Sequence, residues 1–434
     1  MRARPMANRT IRIDYIARVE GESSLELHIA NRKVAAVRLS IFEPPRFFEA
    51  LLRGRGFGEV LDIVARICGI CPIAYQMSGM HAIENALGIE VDEPIQALRR
   101  LLYCGEWIQS HALHIVMLHA PDFLGYPDAI AMARDHGDVV QRALALKKTG
   151  NDLLRVLGGR EIHPINARIG GFYRVPSRAE LAPLAEALKH ARDQAVETLR
   201  WTARFPFPEF VRDYEFVALR HPNEYPMNAG RIVSSAGLDI AAADYEAEFI
   251  ERQVPYSTAL HSVLKKRDTY LVGPMARYAL NRDRLPADIR ALAGEVGLEP
   301  ICRNPFRSIL VRGIEVVYAC DEALRLIAGY EPPSRLFVPV EPRATIGYAC
   351  TEAPRGILYH RYRIDADGTV LDASLVPPTA QNQDVIEEDL REVATAGLDL
   401  DEETLKARCE QSIRNHDPCI SCAAHFLKLR VHRT

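Results

Sequence analysis

Residues 66–88 read Arg66-Ile-Cys-Gly-Ile-Cys71-Pro-Ile-Ala-Tyr-Gln-Met-Ser-Gly-Met-His-Ala-Ile-Glu-Asn-Ala-Leu-Gly88. A CxxC pair runs directly into a proline. The stretch that follows predicts a helix from Ile73 to Leu87, with Gly88 as its left-handed stop. Pro72 suits the first helical position, so Cys71 falls at a positive helix end, which favours thiolate. Upstream, Phe47–Leu52 and Val60–Ile67 read as short helical segments. Before them, Ile11–Ile16 and Leu25–Ile29 alternate and Val34–Ile41 is apolar and β-branched, a three-stranded meander punctuated at Gly21 and Asn31. Downstream, Glu93–Leu118 and Ala129–Leu157 predict two long helices. Pro176-Ser177 opens another through Ala203, with Ser177 and Glu180 forming a capping box. Phe306–Ile327 is amphipathic, 344–376 predicts a hairpin turning at Asp367-Gly368, and 384–415 holds two more helices. Residues 204–300, rich in Pro and Tyr, show no clear order. The fold class is therefore α+β and predominantly helical: a central bundle of long helices with small β elements at the N-terminus and near the C-terminus. The division expected is a meander over 1–45 and a helical core over 46–434 that carries the hairpin and a metal-binding C-terminal segment, folded as one interlocked body.

Composition narrows the function classes. The 434 residues carry 54 Lys+Arg against 57 Asp+Glu, a formal charge of -3, which argues against a basic nucleic-acid face. No window approaches the ~18 apolar residues of a membrane helix. The basic start, Met1 to Thr10, lacks the apolar stretch of a secretory signal. Nine cysteines are an odd count and sparse for a disulfide framework, so a reducing, cytoplasmic setting is expected.

Four of the nine form two pairs, Cys68-Gly-Ile-Cys71 and Cys419-Ile-Ser-Cys422. The others (Cys104, Cys302, Cys320, Cys350, Cys409) are scattered singly and read as small buried apolar residues. Two CxxC pairs supply a soft S₄ ligand set. Asp417-Pro418 predicts an extended entry into the second pair, and His425 follows within reach. The pairs stand 351 positions apart (419 minus 68), whereas structural zinc modules draw theirs from ~10 to 20 residues apart. A whole-fold site is implied. Spacing leaves structural zinc, redox-active thiols and a catalytic metal centre all open.

The flanking residues are more specific. Arg66-Ile-Cys-Gly-Ile-Cys71 and Asp417-Pro-Cys-Ile-Ser-Cys-Ala-Ala-His425 resemble the paired signatures of the large subunit of nickel-iron hydrogenases. Arg18-Val-Glu-Gly21, Arg46-Phe-Phe-Glu49, Gly158-Gly-Arg-Glu-Ile-His-Pro164 with Gly170-Gly-Phe172, Glu352-Ala-Pro-Arg-Gly356 and Val376-Pro-Pro-Thr379 resemble further family segments, in the family's order. The resemblance spans essentially the whole chain. Within the family it is closest to the cytosolic, multimeric branch that reduces NAD(P), judged by the Cys71-Pro72 junction, the Arg-rich helix 307–327 and the moderate length.

That resemblance implies a Ni-Fe centre with iron-bound CO and cyanide. Cys68 and Cys419 would be terminal nickel ligands, and Cys71 and Cys422 would bridge to iron. Arg355 and Thr379 would contact the cofactor, Arg355 overhanging the open metal position. Cys419 would take the proton of heterolytic cleavage and Glu20 would relay it. Asp417 and Asp122 would complete a polar canopy. Glu49 and His425 would bind Mg²⁺. His163 would face a partner, or else be a satisfied core histidine. Electrons require an iron–sulfur small subunit, and NAD(P)/flavin electron-transfer subunits beyond it. The tail Phe426–Thr434 resembles one removed by a maturation protease after nickel-insertion proteins have acted. The chain departs from the pattern at Tyr75 and Glu22, where many relatives carry His, and at Pro378, where a hydroxyl residue is usual. The competing readings are a metal-free scaffold subunit of a respiratory complex and a structural zinc protein.

Overall fold

A computed structural model describes residues 9–43 and 47–424. The meander forms as expected: β1 (Arg9–Ile13), β2 (Ser23–Ala30) and β3 (Lys33–Ile41) are antiparallel in the order β1-β2-β3. Ile11 pairs with Leu27 and Leu25 with Leu39, so alternation sends these side chains to one face.

The helix after the first CxxC is α1 (Pro72–Leu87), with Pro72 at its first position and Gly88 left-handed at φ +68°. The next helix is shorter than predicted. Here α2 covers Glu93–Ala112, and the chain then winds into a wider π-type turn over Leu113–His119 before Ala120–Leu124. Pro121 has no amide to close on Met117 and its ring would crowd that carbonyl, which ends the regular ladder. Residues 129–157 also divide: a short helix Ala129–Met132 precedes α3 (Gly137–Gly158). Helices α2 and α3 touch at two glycines, where a Cβ on Gly150 would lie 2.6 Å from the Gly105 carbonyl. Only two residues without side chains permit that approach.

The capping box at Ser177 opens α4 (Arg178–Thr202). Residues 204–300, unordered in the sequence reading, contain two small antiparallel sheets and the helices Pro274–Asn281 and Ala287–Glu295. Their strands are too short to show a period. The helix α5 (Ser308–Ala328) packs against α2 and α4. The expected hairpin gains a strand: β4 (Thr345–Ala353), β5 (Gly356–Ile364) and β6 (Val370–Val376) form one antiparallel sheet that lies over α1. Finally α6 (Pro378–Ala396) and α7 (Glu402–Asn415) lead to the second CxxC.

Ile11, Leu25, Leu27 and Leu39 of the meander pack on Ile386, Leu390, Leu405 and Ile413 of α6 and α7. Burial at roughly 25 cal/mol per Å² is the force that joins the two ends of the sequence. Among the described residues no helix is long and apolar enough to cross a membrane.

Candidate metal centre

All four paired cysteines converge. Their sulfurs lie within 4.8 Å of one another and all four side chains are buried. Cys68 Sγ is 3.5 Å from Cys419 Sγ, and Cys71 Sγ is 3.9 Å from Cys422 Sγ. Tetrahedral S₄ metal sites have edges of about 3.7 Å. The five single cysteines are buried and free, as expected.

Two helix N-termini point at the sulfurs: α1 begins just after Cys71, and α6 begins at Pro378 beside Thr379. Their dipoles favour anions. Within the first pair, the amides of Ile70 and Cys71 donate to Cys68 Sγ at 3.3 and 3.2 Å. Burial opposes ionisation of Cys68, but hydrogen bonds from the other three thiols and the charge of Arg355 outweigh it and hold its pKa well below the usual range. Burial and the neighbouring thiols push Cys419 well above that range. One thiolate forms readily and the rest ionise when a cation arrives.

Arg355 occupies the tight turn between β4 and β5, fully buried. Its Nε donates to the Asp417 carbonyl at 2.7 Å and its Nη2 to Asp417 Oδ1 at 3.1 Å. Arg355 Nη1 and Asp417 Oδ2 are buried without a partner among the described residues. Asp417 itself is not extended as expected before a proline: its φ is +50°. It follows the end of α7, and a left-handed Asp there stops the helix and swings the chain toward Cys419. The Arg355 clamp holds this sparsely populated conformation.

Glu20 comes from the β1–β2 loop and pairs with Cys419 in a parallel bridge. Its Oε2 accepts from Cys419 Sγ at 3.1 Å and from the Ser421 amide at 3.0 Å. Glu20 is half-buried rather than enclosed. Gly21 makes the approach feasible: at φ +90°, a Cβ there would lie 2.6 Å from the Ile420 Cβ. Thr379 Oγ1 accepts from the Cys419 amide at 3.0 Å.

Asp122, expected in a canopy over the site, is held by two arginines. It binds Arg414 Nε and Nη2 at 2.7 and 2.8 Å and also pairs with Arg18. Glu49 accepts from the Leu375 amide at 2.7 Å, while His425 and the tail Phe426–Thr434 lie outside the described residues. His163, half-buried at φ +51°, bonds through Nδ1 to the Ala65 carbonyl at 2.6 Å. That contact fastens the Gly158–Phe172 segment over the first cysteine loop.

Two supporting residues escaped the sequence reading. Glu106, on α2, accepts from the Ile73 and Ala74 amides at 2.6 and 3.1 Å, so it caps α1 from another helix. The signal was a lone carboxylate in the otherwise apolar Leu101–Ile108. Arg277 binds the Ala353 and Pro354 carbonyls at 2.8 Å and so supports the turn that carries Arg355. Nothing local distinguished it from a surface arginine.

Four buried soft donors, two helix N-termini, and the unpartnered Arg355 Nη1 at one cavity fit a polynuclear sulfur-bound metal group better than a bare structural ion. Residues 46–141 match the family described as nickel-dependent hydrogenase. The sulfhydrogenase 2 subunit alpha of Pyrococcus furiosus is 37% identical over 422 residues, covering 96% of this chain and 100% of that protein. The chain belongs to the nickel-dependent hydrogenases. As a hydrogenase large subunit it is an oxidoreductase acting on hydrogen, with its four-cysteine site as the Ni-Fe centre. The sulfhydrogenase 1 subunit alpha of the same organism is 35% identical over 96% of this hydrogenase and 98% of its own length. The crystal structure of an NAD+-reducing nickel-iron hydrogenase in the H2-reduced state superposes with a TM-score of 0.89 at 26% identity, covering 96% of this chain and 100% of that one. Neither the scaffold nor the zinc reading is retained, since the relatives matched over nearly the whole chain are hydrogenase subunits.

Proposed function

We propose that Cys68, Cys71, Cys419 and Cys422 hold the Ni-Fe centre of a cytoplasmic, hetero-oligomeric hydrogenase and that Cys419 and Glu20 carry its proton traffic. When bound, the centre supplies the redox and Lewis-acid chemistry of heterolytic hydrogen cleavage. Cys419 Sγ is the proton acceptor, and the single observation that carries this role is its 3.1 Å contact to Glu20 Oε2. Glu20 accepts the proton and, being half-buried, passes it outward. Ser421 Oγ and the Glu22 amide both meet Glu43 Oε1, at 3.1 and 2.9 Å, on the outward side.

Arg355 lines the cavity with Nη1 unpartnered among the described residues and would serve there as a fixed cationic donor to a cyanide of the bound centre, with Asp417 holding its plane. Thr379 Oγ1 accepts from the Cys419 amide, which leaves its O–H free; it would donate to a cyanide of the bound centre, a role that Pro378 cannot fill. Through Arg18 and Arg414, Asp122 ties the Glu20 loop to the end of α7. Glu49 and His425 would hold Mg²⁺.

Electrons leave to an iron–sulfur small subunit and on to NAD(P) through flavin-bearing partners, the branch suggested by the NAD+-reducing structural relative. Over the first cysteine loop, Ile162, Ile165 and Tyr173 stand 50–58% exposed, an apolar surface suited to a permanent subunit contact. Maturation requires nickel-insertion proteins and a protease that removes Phe426–Thr434.

The test is metal analysis with hydrogen-dependent dye reduction. Nickel and iron near one each are expected, with infrared bands of bound CO and cyanide. Cys419→Ser abolishes dye reduction, and Glu20→Gln keeps the metals but loses most turnover. Full turnover in Glu20→Gln refutes its relay role, and zinc alone refutes the centre.

A further inference from the structure

A second set of metal-ligating side chains stands apart from the four cysteines. The strand Leu260–Leu264, paired with Phe249–Gln253 in a small hairpin, carries His261. Helix α6 carries Asp384 and Glu387, three residues apart and so on one face. Ligand atoms of the three side chains lie within 4.8 Å of one another. His261 is fully buried, and its Nδ1 meets Asp384 Oδ1 at 2.8 Å. Arg252 Nη2 donates to the other oxygen of Asp384, also at 2.8 Å. A hydrogen-bonded ion pair of this kind accounts for Asp384 and for one edge of the imidazole, but not for the rest of the set. His261 Nε2 is buried with no partner among the described residues, whereas buried polar atoms are nearly always paired. Glu387 accepts from the Leu39 amide at 2.8 Å and from the Tyr256 hydroxyl at 2.9 Å, yet no lysine or arginine pairs with it among the described residues. A largely buried carboxylate without a cation is costly.

We propose that His261, Asp384 and Glu387 hold a divalent cation of the zinc class, which staples α6 to the strand beside the second cysteine pair. An imidazole nitrogen and two carboxylate oxygens suit zinc at bond lengths of about 2.0–2.2 Å. The cation supplies the positive charge that Glu387 lacks. Burial raises the Glu387 pKa, and the Leu39 amide and His261 offset it only in part, the sign expected of a carboxylate short of counter-charge. Asp384 and Glu387 are half-buried, which gives the ion a way in and a water a place as the remaining ligand. Three elements meet at this point. Glu387 holds β3 through the Leu39 amide, and the Thr258 amide donates to the Ile41 carbonyl of the same strand at 2.8 Å. Ala259, two residues before His261, bridges Ala424 just past Cys422, and it shares an apolar cluster with Ile41, Ile420 and Ala423. The staple thus braces the wall against which the Cys419–Cys422 segment lies. It uses no residue assigned to the Ni-Fe centre or to Mg²⁺, and it stands or falls independently of those assignments.

The experiment is calorimetric titration of zinc chloride into purified holoenzyme dialysed against a chelator, for the parent, Glu387→Gln and His261→Ala. The parent is expected to bind one equivalent of zinc more than either variant, and zinc is expected to raise its unfolding midpoint while leaving theirs unmoved. Equal stoichiometry in the parent and both variants, or no zinc uptake by the parent, overturns the inference. Should His261→Ala fail to assemble, Glu387→Gln, which keeps an acceptor for the Leu39 amide, carries the comparison. Anomalous diffraction at the zinc edge from crystals of the parent locates the ion without any variant. A peak between His261, Asp384 and Glu387 is expected, and zinc found only at the cysteines or elsewhere on the surface overturns the site.

Discussion

Arg355 shows how one residue can combine several constraints. Two of its nitrogens are committed to Asp417 and the third projects, unpaired, into the cavity. A lysine cannot divide its charge this way. Arg355→Lys is expected to keep nickel and iron but to lower hydrogen-dependent dye reduction by about 10²-fold or more. Behind the same turn, Arg277 faces two carboxylates, Glu315 and Glu352, each at 2.8 Å. One cation cannot satisfy both. Burial opposes ionisation of Glu315, but the charge and paired hydrogen bonds of Arg277 outweigh it and hold its pKa near about 2. Glu352 is left with desolvation as its largest influence and rises to about 7. A raised carboxyl stabilises the fold fully below its unfolded pKa of 4.5 and loses that contribution as pH climbs to about 7. Glu352→Gln should therefore flatten the fall in unfolding temperature between pH 4.5 and 7, whatever its effect on absolute stability. A variant whose profile parallels the parent's would show that Glu352 is ionised throughout.

At the scale of elements, α1 is the part that aims the first cysteine pair. Cys71 occupies its N-cap position and makes no side-chain cap, so its sulfur remains free for metal. The capping role passes to Glu106, which α2 brings in from 33 residues away. Glu106→Ala leaves two buried amides without an acceptor, at about 1–3 kcal/mol each. A lower denaturation midpoint and diminished nickel retention are expected, with Glu106→Gln milder because one acceptor survives. Proline sets two other boundaries in the bundle. Pro72 starts α1 where a reader of the sequence would start it. Pro121 acts at a distance of several residues, loosening a helix whose apolar pattern continues through it.

For the whole molecule, the question is how cysteines at opposite ends of the chain reach one cavity. The meander and α6–α7 share a small apolar core, and Asp122 adds a polar tie between the same regions. Its carboxylate pairs with both Arg18, two residues from Glu20, and Arg414, three residues from Asp417. Breaking a buried pair from one side strands charge, at about 3–5 kcal/mol. Asp122→Ala is expected to lower the unfolding temperature of the holoenzyme and to reduce turnover by loosening the Cys419–Glu20 contact. Unchanged melting and turnover would mean that the tie is incidental.

Much of this was legible in the residues themselves. The two CxxC pairs, the proline and glycine bounds of α1, the Ser177 capping box and the alternation of the meander are local signals, because caps, turns and periodicity act within a few residues of where they are written. Wherever chemistry depends on what another element brings, the chain alone was silent. It did not reveal that Asp417 is left-handed, that Asp122 pairs with both Arg18 and Arg414, that Glu106 caps a helix other than its own, or that residues 204–300 form two small sheets. Burial, counter-charge and hydrogen-bond satisfaction are decided between segments far apart in sequence. Only the tertiary structure sets which partner each buried polar group finds.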